Sequence, residues 1–347
     1  MTGATPLDNP RKFAELLDRL CKERGAVFDP LTGYGDVGRI TLRNGAFTLF
    51  RRMAFDINRM GAAALARDKD YCARALRKAG LNAAEGTLVV SPRYRDRILR
   101  QSATYAQHWH PYDDALKASE SYGFPLYIKP NDGSSGEDVA LVRDRDALLG
   151  QLSELFSRHE QLLVQPPVAG REFRMLMLDD EMLACYERVP FTVTGNGEDT
   201  LADLILERMN RLRAGERPLD LARVQTDIDR SLSALGLQGD YRPAAGETIR
   251  LGDAANLATG GSSVDFTDTA APFFVDIGRQ AAAATGLRLA GIDIFAADIA
   301  VPDPGYTILE VNAAPGFGRF AAAQADGDET AERLLRRLLD AMENTAP

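Results

Sequence analysis

The sequence contains few of the residues that mark several protein classes. Only three cysteines occur among its 347 residues, at Cys21, Cys72 and Cys185. Neither their odd number nor their spacing fits a disulfide framework or a zinc site. No apolar run is long enough to cross a bilayer, and the N-terminus lacks the apolar core of a signal peptide. We therefore expect a cytoplasmic protein with no membrane partner.

Positive charge is also in deficit. The chain has 41 Lys and Arg against 50 Asp and Glu, a net charge of -9. Nucleic acids and anionic membranes favour clustered Lys and Arg, so this balance argues against both as partners. The apolar fraction of 45% and the charged fraction of 26% are typical of a globular protein, and the length allows two or three packed subdomains.

The spacing of apolar residues changes repeatedly between a helical and a strand period. Residues 10–25 predict an amphipathic helix, and the Asn44-Gly45 pair predicts a hairpin turn. From about residue 86 onward, strands and helices are interleaved. Residues 215–255 are predicted to be rich in loops, with one short helix. The pattern predicts an α+β (α/β) protein.

The segment that ends in Glu310-Val311-Asn312 is the most informative part of the chain. Side chains alternate along a strand, so Glu310 and Asn312 share a face. An earlier apolar run, residues 290–295, has Asp293 in its middle. On neighbouring strands these three side chains would supply hard oxygen ligands suited to magnesium. For either acid alone, an isolated carboxylate at a strand end is the alternative.

A phosphate site is indicated by residues 125–142. An apolar strand there leads to Lys129 and then into a glycine- and serine-rich loop. The loop contains Gly133, Ser134, Ser135 and Gly136. Glycines let the backbone approach phosphates, successive N–H groups bind anions, and a lysine adds positive charge. A simple hairpin turn is the alternative.

Two further segments are consistent with nucleotide binding. Lys69 lies at an expected helix start, where the helix dipole disfavours a cation unless phosphate is bound nearby. A solvated surface lysine is the alternative. Residues 162–174 form a proline-braced hinge between two strands, where Glu172 could accept hydrogen bonds from a ribose. Arg174 shares a strand face with Glu172, and its planar fork suits a carboxylate. A plain linker is the alternative.

The ordered set of motifs resembles the ATP-grasp superfamily of carboxylate–amine ligases, in particular the ATP-grasp domains of cyanophycin synthetases and bifunctional glutathione synthetases. The resemblance covers roughly residues 60–340. Its motifs are Asp68-Lys69, Tyr127-Ile128-Lys129-Pro130, Arg188-Val189-Pro190, Gly195-Asn196-Gly197, residues 255–261, Gly291-Ile292-Asp293 and residues 310–316. Each motif is moderately specific, whereas their order is strongly so.

The resemblance implies an ATP-grasp fold, in which two α/β subdomains clamp ATP between antiparallel sheets. It divides the chain into a short atypical N-terminal region (1–65), a central or lid subdomain with the glycine-rich loop (66–168) and a C-terminal subdomain with the metal and substrate site (169–347). The N-terminal region is shorter than the family's usual α/β domain, which leaves substrate choice open.

The resemblance also implies a role for individual residues. The implied nucleotide-binding residues are Lys69, Lys129, Gly133, Ser134, Ser135, Gly136, Gln165, Val168 and Glu172. The implied metal ligands are Asp293, Glu310 and Asn312, and the implied substrate residues are Asn256, Thr259, Gly260 and Gly261. The expected catalytic cations are Lys129, Arg188 and Arg174. Gln165 departs from the family, which often has a glutamate there.

The activity that the resemblance implies is ATP-dependent amide formation. Magnesium, or manganese as an alternative, would accompany ATP, and an acyl-phosphate would form on a carboxylate before an amine attacks it. The expected substrates are amino acids, and a homodimer is expected because family members often dimerise. The alternatives are a ligase that modifies a peptide or protein, a phosphotransferase on the same fold, and a nucleotide-binding module without chemistry.

Overall fold

The structure is a computed structural model that describes residues 9–133, 136–214, 221–252 and 260–344. Its helices are α1 Pro10–Glu23, α2 Met60–Arg67, α3 Lys69–Lys78, α4 Pro92–Gln101, α5 Ala103–Ala106, α6 Pro111–Tyr122, α7 Arg145–Phe156, α8 Leu201–Ala214, α9 Leu221–Leu235, α10 Pro272–Thr285, α11 Gly318–Ala321 and α12 Gly327–Glu343. Its strands are β1 Val27–Pro30, β2 Val37–Thr41, β3 Phe47–Arg51, β4 Ala54–Phe55, β5 Thr87–Val90, β6 Leu126–Pro130, β7 Ala140–Val142, β8 Gln161–Gln165, β9 Arg171–Leu178, β10 Glu181–Val189, β11 Thr192–Thr194, β12 Thr248–Arg250, β13 Ser262–Asp265, β14 Leu289–Ala296 and β15 Thr307–Asn312. Helices and strands alternate along most of the chain, as the sequence predicts.

The N-terminal region is one helix followed by a small antiparallel sheet. The Asn9 side chain caps α1 by accepting a hydrogen bond from the Arg11 N–H at 3.0 Å, and Pro10 occupies the first turn, so the predicted helix is confirmed. Strands β1 to β4 pair in sequence order, and the β2–β3 connection turns at Gly45 with φ +86°. Leu17 and Leu20 bury this unit against α12.

A second antiparallel sheet has the strand order β5-β8-β6-β7, and we call it the lid sheet. Alternate residues of β6 face opposite ways. Leu126 and Ile128 are buried with Leu148 and Leu152 of α7, whereas Lys129 lies on the other face of the sheet. One face of this sheet is therefore structural, and the other is available for a ligand.

The third sheet, in the order β13-β10-β9-β14-β15, is antiparallel throughout and separates two environments. Its first face is apolar and packs on α10. The buried residues of this face include Phe173, Met175, Met177, Cys185, Ala290, Ile292, Ile294 and Ile308. Its second face is apolar at one end, where Leu176, Leu178 and Leu289 meet the N-terminal unit and α12, and charged at the other end.

A β-bulge interrupts the pairing of β14 with β15. Ile294 lies opposite Ile308, but the next residue of β14, Asp293, lies opposite Glu310. Leu309 is the extra residue, and it reverses the alternation of β15 at this point. As a result Ile308 faces the apolar side, and Glu310 shares the charged side with Asp293.

Two helical segments differ from the sequence expectation. Helix α4 was not expected, because its sequence is strongly basic and it buries no residue, so no apolar face signals it. Residues 215–255 were expected to hold one short helix, yet α9 runs for 15 residues. Val224, Ile228 and Ser231 are buried, and this spacing spans about two turns of one helix face.

Candidate active site

The start of α3 is hydrogen-bonded to Asn131, the residue that follows β6. The Lys69 N–H donates to the Asn131 carbonyl at 3.1 Å, and the Asp70 N–H donates to Asn131 Oδ1 at 3.0 Å. Lys69 Nζ donates to the Gly133 carbonyl and lies 3.9 Å from Glu310 Oε2. The Asn131 contacts therefore fix Lys69 between the glycine-rich loop and the carboxylates of the third sheet.

Lys129 faces the same cleft from β6. Its residue surface is only 8% exposed. Burial lowers the pKa of Lys129 to about 8; the carboxylate of Glu310 opposes the shift and Lys69 adds to it. A buried ammonium next to a second cation favours an anionic ligand, and a phosphate chain would supply the charge that is missing.

The three expected metal ligands lie together at the charged end of the third sheet. Asp293 and Glu310 are directly opposite each other on β14 and β15, and Asn312 Nδ2 donates to Glu310 Oε1 at 3.1 Å. Among the residues that the structure describes, no cluster of three His, Cys, Asp or Glu side chains forms a complete metal cage. Two carboxylates and an amide oxygen fit magnesium, which leaves several coordination positions to water and phosphate.

A buried network of alternating charges surrounds Asp293, which is 1% exposed. Arg174 binds both of its oxygens, with Nη2 to Oδ2 at 2.7 Å, and Arg188 Nη1 lies 3.3 Å from the same Oδ2. Burial would raise the pKa of Asp293, but Arg174 and Arg188 outweigh it and hold that pKa below its usual range. The two arginines engage three of the four lone pairs of the carboxylate, which leaves one on Oδ1 for a metal ion.

Glu172 completes this network at its outer end. Arg188 Nη1 donates to Glu172 Oε1 at 2.8 Å. Burial raises the pKa of Glu172; Arg188 opposes the shift, and Asp293 adds to it through like-charge repulsion. Glu172 and Asp293 therefore share Arg188, and a cationic or hydroxyl-bearing ligand at Glu172 would change how the arginine divides its contacts.

The hinge between the lid sheet and the third sheet contains the residues expected near adenine. Gln165 is buried at the end of β8, where its Nε2 donates to the Glu85 carbonyl at 2.8 Å. Val168 is half-buried in the connection that follows. Gly170 has φ +114°, and a Cβ there would lie 3.0 Å from the Ala296 carbonyl oxygen. The backbone can therefore make this turn only with glycine.

The two expected glycine-rich loops are described in part. Gly133, Gly136, Gly260 and Gly261 are described, whereas Ser134, Ser135, Asn256 and Thr259 lie outside the described residues. The Gly136 carbonyl accepts a hydrogen bond from Arg223 Nη2 of α9 at 2.5 Å. The sequence gives no sign of this contact, because Arg223 is 87 residues away in a segment with no recognised motif.

The sheets and the cleft between them have the architecture of the ATP-grasp fold. No protein-family model matches the chain. It is similar to cyanophycin synthetase of Geminocystis herdmanii, with 32% identity over 272 residues, which cover 76% of this chain and 29% of the relative. It is also similar to the bifunctional glutathione biosynthesis protein of Listeria welshimeri, with 29% identity over 216 residues, which cover 59% of this chain and 28% of the relative.

The solved structure of a bifunctional glutathione synthetase from Pasteurella multocida shares the fold. It superposes with a TM-score of 0.56 at 19% identity, over 93% of this chain and 44% of that one. The chain has the ATP-grasp fold, as the sequence motifs predict. It spans less than a third of the length of these two curated relatives. Within the described ranges, no helix combines the length and the apolar character needed to cross a membrane.

Proposed function

We propose that this chain is an ATP-dependent ligase that joins the carboxylate of an amino acid to an amine through an acyl-phosphate. The observation that carries the proposal is the convergence of two lysines with three oxygen donors. Lys69 enters the cleft from the start of α3, Lys129 enters it from the lid sheet, and Asp293, Glu310 and Asn312 line the third sheet. This is the charge pattern that a metal-bound phosphate chain requires.

The nucleotide would occupy the cleft between the lid sheet and the third sheet. Lys69, Lys129 and the loop 133–136 would bind its phosphates, and the hinge would hold the base and sugar. The hinge residues proposed for this role are Gln165, Val168 and Glu172. Magnesium held by Asp293, Glu310 and Asn312 would offset charge on the phosphate oxygens, with manganese as a substitute.

The chemistry follows from the poor leaving group of a free carboxylate. The γ-phosphoryl group passes from ATP to a carboxylate oxygen, which yields ADP and an acyl-phosphate. The amine nitrogen then attacks the acyl carbon, the carbon–oxygen bond to phosphate breaks, and the amine loses its proton to water or phosphate. Arg188 would face the transferred group, and Arg174 would hold Asp293 in place. Positioning and fixed charge dominate such a reaction.

The setting of this activity is part of the same proposal. Cyanophycin synthetases and glutathione biosynthesis proteins are names of relatives, and amino acids or short peptides are the substrates we propose for this chain. We further propose that the ligase works in the cytoplasm as a homodimer. The three cysteines are free and buried, which suits a reducing compartment.

Hydroxylamine trapping tests the reaction class. The chain is mixed with magnesium, ATP and pooled amino acids, and ADP, phosphate, hydroxamate and new masses are measured. We expect ADP and phosphate in equal amounts, an amide product, and a hydroxamate when hydroxylamine replaces the amine. A stable phosphorylated product without hydroxamate would indicate a phosphotransferase. Coupling only with pooled peptides would indicate a peptide-modifying ligase, and no ADP with any pool would contradict the proposal.

A further inference from the structure

Arg208 on α8 is a half-buried guanidinium with no acidic partner among the described residues. Its Nε atom is covered and makes no hydrogen bond. Burial lowers the pKa of Arg208, and the neighbouring Arg211 lowers it further. Covering a cation without a counter-charge costs free energy. Arg211, one turn away, differs in both respects, because it is exposed and pairs with Glu207.

Arg208 lies beside the cleft. Its guanidinium carbon is 5.4 Å from the centre of the Phe191 ring, and its Nη2 is 3.5 Å from the Gly260 carbonyl. Gly260 packs on the same ring: its φ is +82°, and a Cβ there would lie 2.7 Å from Phe191 Cδ2. Phe191 follows Arg188 by three residues, a chain distance of at most about 10 Å.

Ser263 is a second unpaired polar group in the same place. Its Oγ is buried and has no hydrogen-bond partner within the described ranges. Ser263 on β13 is directly opposite Arg188 on β10, so both side chains project from the charged face of the third sheet. Only two residues separate Ser263 from Gly260, whose carbonyl Arg208 contacts, so a short segment connects the two groups.

The order of the strands separates these donors from the proposed metal site. Ser263 belongs to β13 at one edge of the sheet, and three strand spacings lie between β13 and β14, which carries Asp293. At about 4.8 Å per spacing the distance is roughly 14 Å. The backbone of β13 is therefore well separated from that of the metal-binding strand, and the interval is wide enough for the body of a small substrate.

We propose that Arg208 and Ser263 bind a substrate carboxylate other than the one that is phosphorylated. A planar guanidinium binds a carboxylate with two parallel hydrogen bonds, and a serine hydroxyl can donate a third. The inference rests on the proposed function and narrows it, since one of the two joined molecules must carry a second, free carboxylate. That carboxylate belongs either to the acceptor of the acyl group or to a dicarboxylic donor.

The test uses L-amino acids and their carboxamides. ADP release first identifies a reactive pair. The acceptor is then replaced by its α-carboxamide, and in a separate arm an aspartate or glutamate donor is replaced by the derivative with one carboxylate amidated. We expect only one of the two replacements, the amidated acceptor or the amidated donor, to raise KM for the replaced molecule. The expected rise is about 10- to 100-fold, the range for a lost charge-assisted contact. That arm identifies the molecule that carries the recognised carboxylate.

Variants assign the effect to these two residues. Arg208→Met should raise KM for the intact acid to that of the amide and leave KM for ATP within about twofold. Ser263→Ala should raise KM for the intact acid about threefold. Arg208→Lys keeps the charge without the fork and should lie between wild type and Arg208→Met. Arg211→Met is the matched control, since it removes an exposed cation from the same helix, and should change neither KM.

The outcomes separate this inference from the function on which it rests. One outcome is that ADP is released while the KM values for acid and amide differ by the same ratio in wild type and in a folded Arg208→Met or Arg208→Lys variant. In that case the proposed carboxylate site is wrong and the ligase proposal stands. An equal rise of KM for ATP would assign Arg208 to the nucleotide instead, and would also overturn the inference. No ADP release with any pair would contradict the ligase proposal itself.

Discussion

The two faces of the third sheet are built from alternate residues of the same strands. One face is apolar and packs on a helix, and the other carries buried charges. Phe173, Ile292 and Ile294 point to α10 and are fully buried among apolar neighbours. Arg174 and Asp293, each adjacent in sequence to one of these residues, point to the other side and form a buried ion pair. Neighbouring residues of one strand therefore belong to different faces, one in the apolar core and the next in the proposed active site.

The contrast teaches that burial alone does not distinguish the two faces. Asp293 is as deeply covered as Ile292, yet its charge is retained because Arg174 and Arg188 bind it. Such a pair stabilises little relative to an apolar pair, but the loss of one partner is costly. We infer that the charged face is kept for its ligand, and the apolar face for stability.

The largest expected effect is on activity, and it comes from the charged face. Glu310→Ala removes a proposed magnesium ligand and should lower ATP turnover by about 1000-fold with little change in the thermal midpoint. ADP release and thermal unfolding measure the two quantities. Glu120→Ala, which removes an exposed carboxylate from α6, is the control for the loss of charge. Turnover by Glu310→Ala close to that of wild type would remove Glu310 from the metal site.

The apolar face should show the reverse result. Ile292→Ala leaves a cavity against α10 and should lower the free energy of unfolding by about 3 kcal/mol, while the folded fraction keeps its KM for ATP. Urea unfolding and kinetics at low temperature measure both. Ile292→Val removes a single methylene and should cost about 1 kcal/mol. A strong kinetic defect in a fully folded Ile292→Ala variant would show that the two faces are not independent.

A smaller effect is expected at the hinge end of the charged face. Glu172→Ala should raise KM for ATP about tenfold and change kcat less, since the contact to ribose is proposed to act in binding. Glu187→Ala is the matched control, because Glu187 also pairs with an arginine, Arg171, but faces the other side. The ribose assignment does not survive if both variants have the KM of wild type.

The smallest effect is on pH dependence. Burial lowers the pKa of Lys129 to about 8, so this lysine is charged below that pH and loses its proton as the pH rises through it. ATP binding needs the charged form, and kcat/KM for ATP should therefore fall to about half its plateau near pH 8. In the pH profile of kcat, the corresponding decrease should occur at higher pH, because bound phosphates stabilise the charged form of Lys129. A profile that stays flat to pH 10 would contradict this.

Local sequence signals located much of the charged face. Alternation predicts that Glu310 and Asn312 lie side by side, and the structure places Asn312 Nδ2 on Glu310 Oε1. Glycine turns and apolar periods likewise predicted the hairpin at Gly45 and helix α1. These features depend on residues that are close in sequence, where spacing alone determines which side chains meet. The roles of the site residues stay predictions.

Pairings between distant segments could not be predicted in the same way. Arg174 and Asp293 are 119 residues apart, and only the pairing of β9 with β14 brings them together. Arg208 lies in a basic run of the sequence, residues 208–213, and runs of charge are usually solvated faces. Its half-buried position depends on Phe191 and Gly260, which belong to other elements.

The extra residue at Leu309 has a further consequence. Were Leu309 deleted, Glu310 would directly follow Ile308, and a regular ladder could keep Ile308 opposite Ile294 and Glu310 opposite Asp293. If the strand instead kept Leu309 but paired without the bulge, Ile308 opposite Ile294 would turn Glu310 and Asn312 toward α10, and the proposed magnesium site would be lost although every ligand is still encoded. The inner surface of the cleft thus depends on the number of residues between Ile308 and Glu310 and on their pairing, as well as on side-chain identity, and a relative with the same residues but no bulge would present different side chains to the cleft.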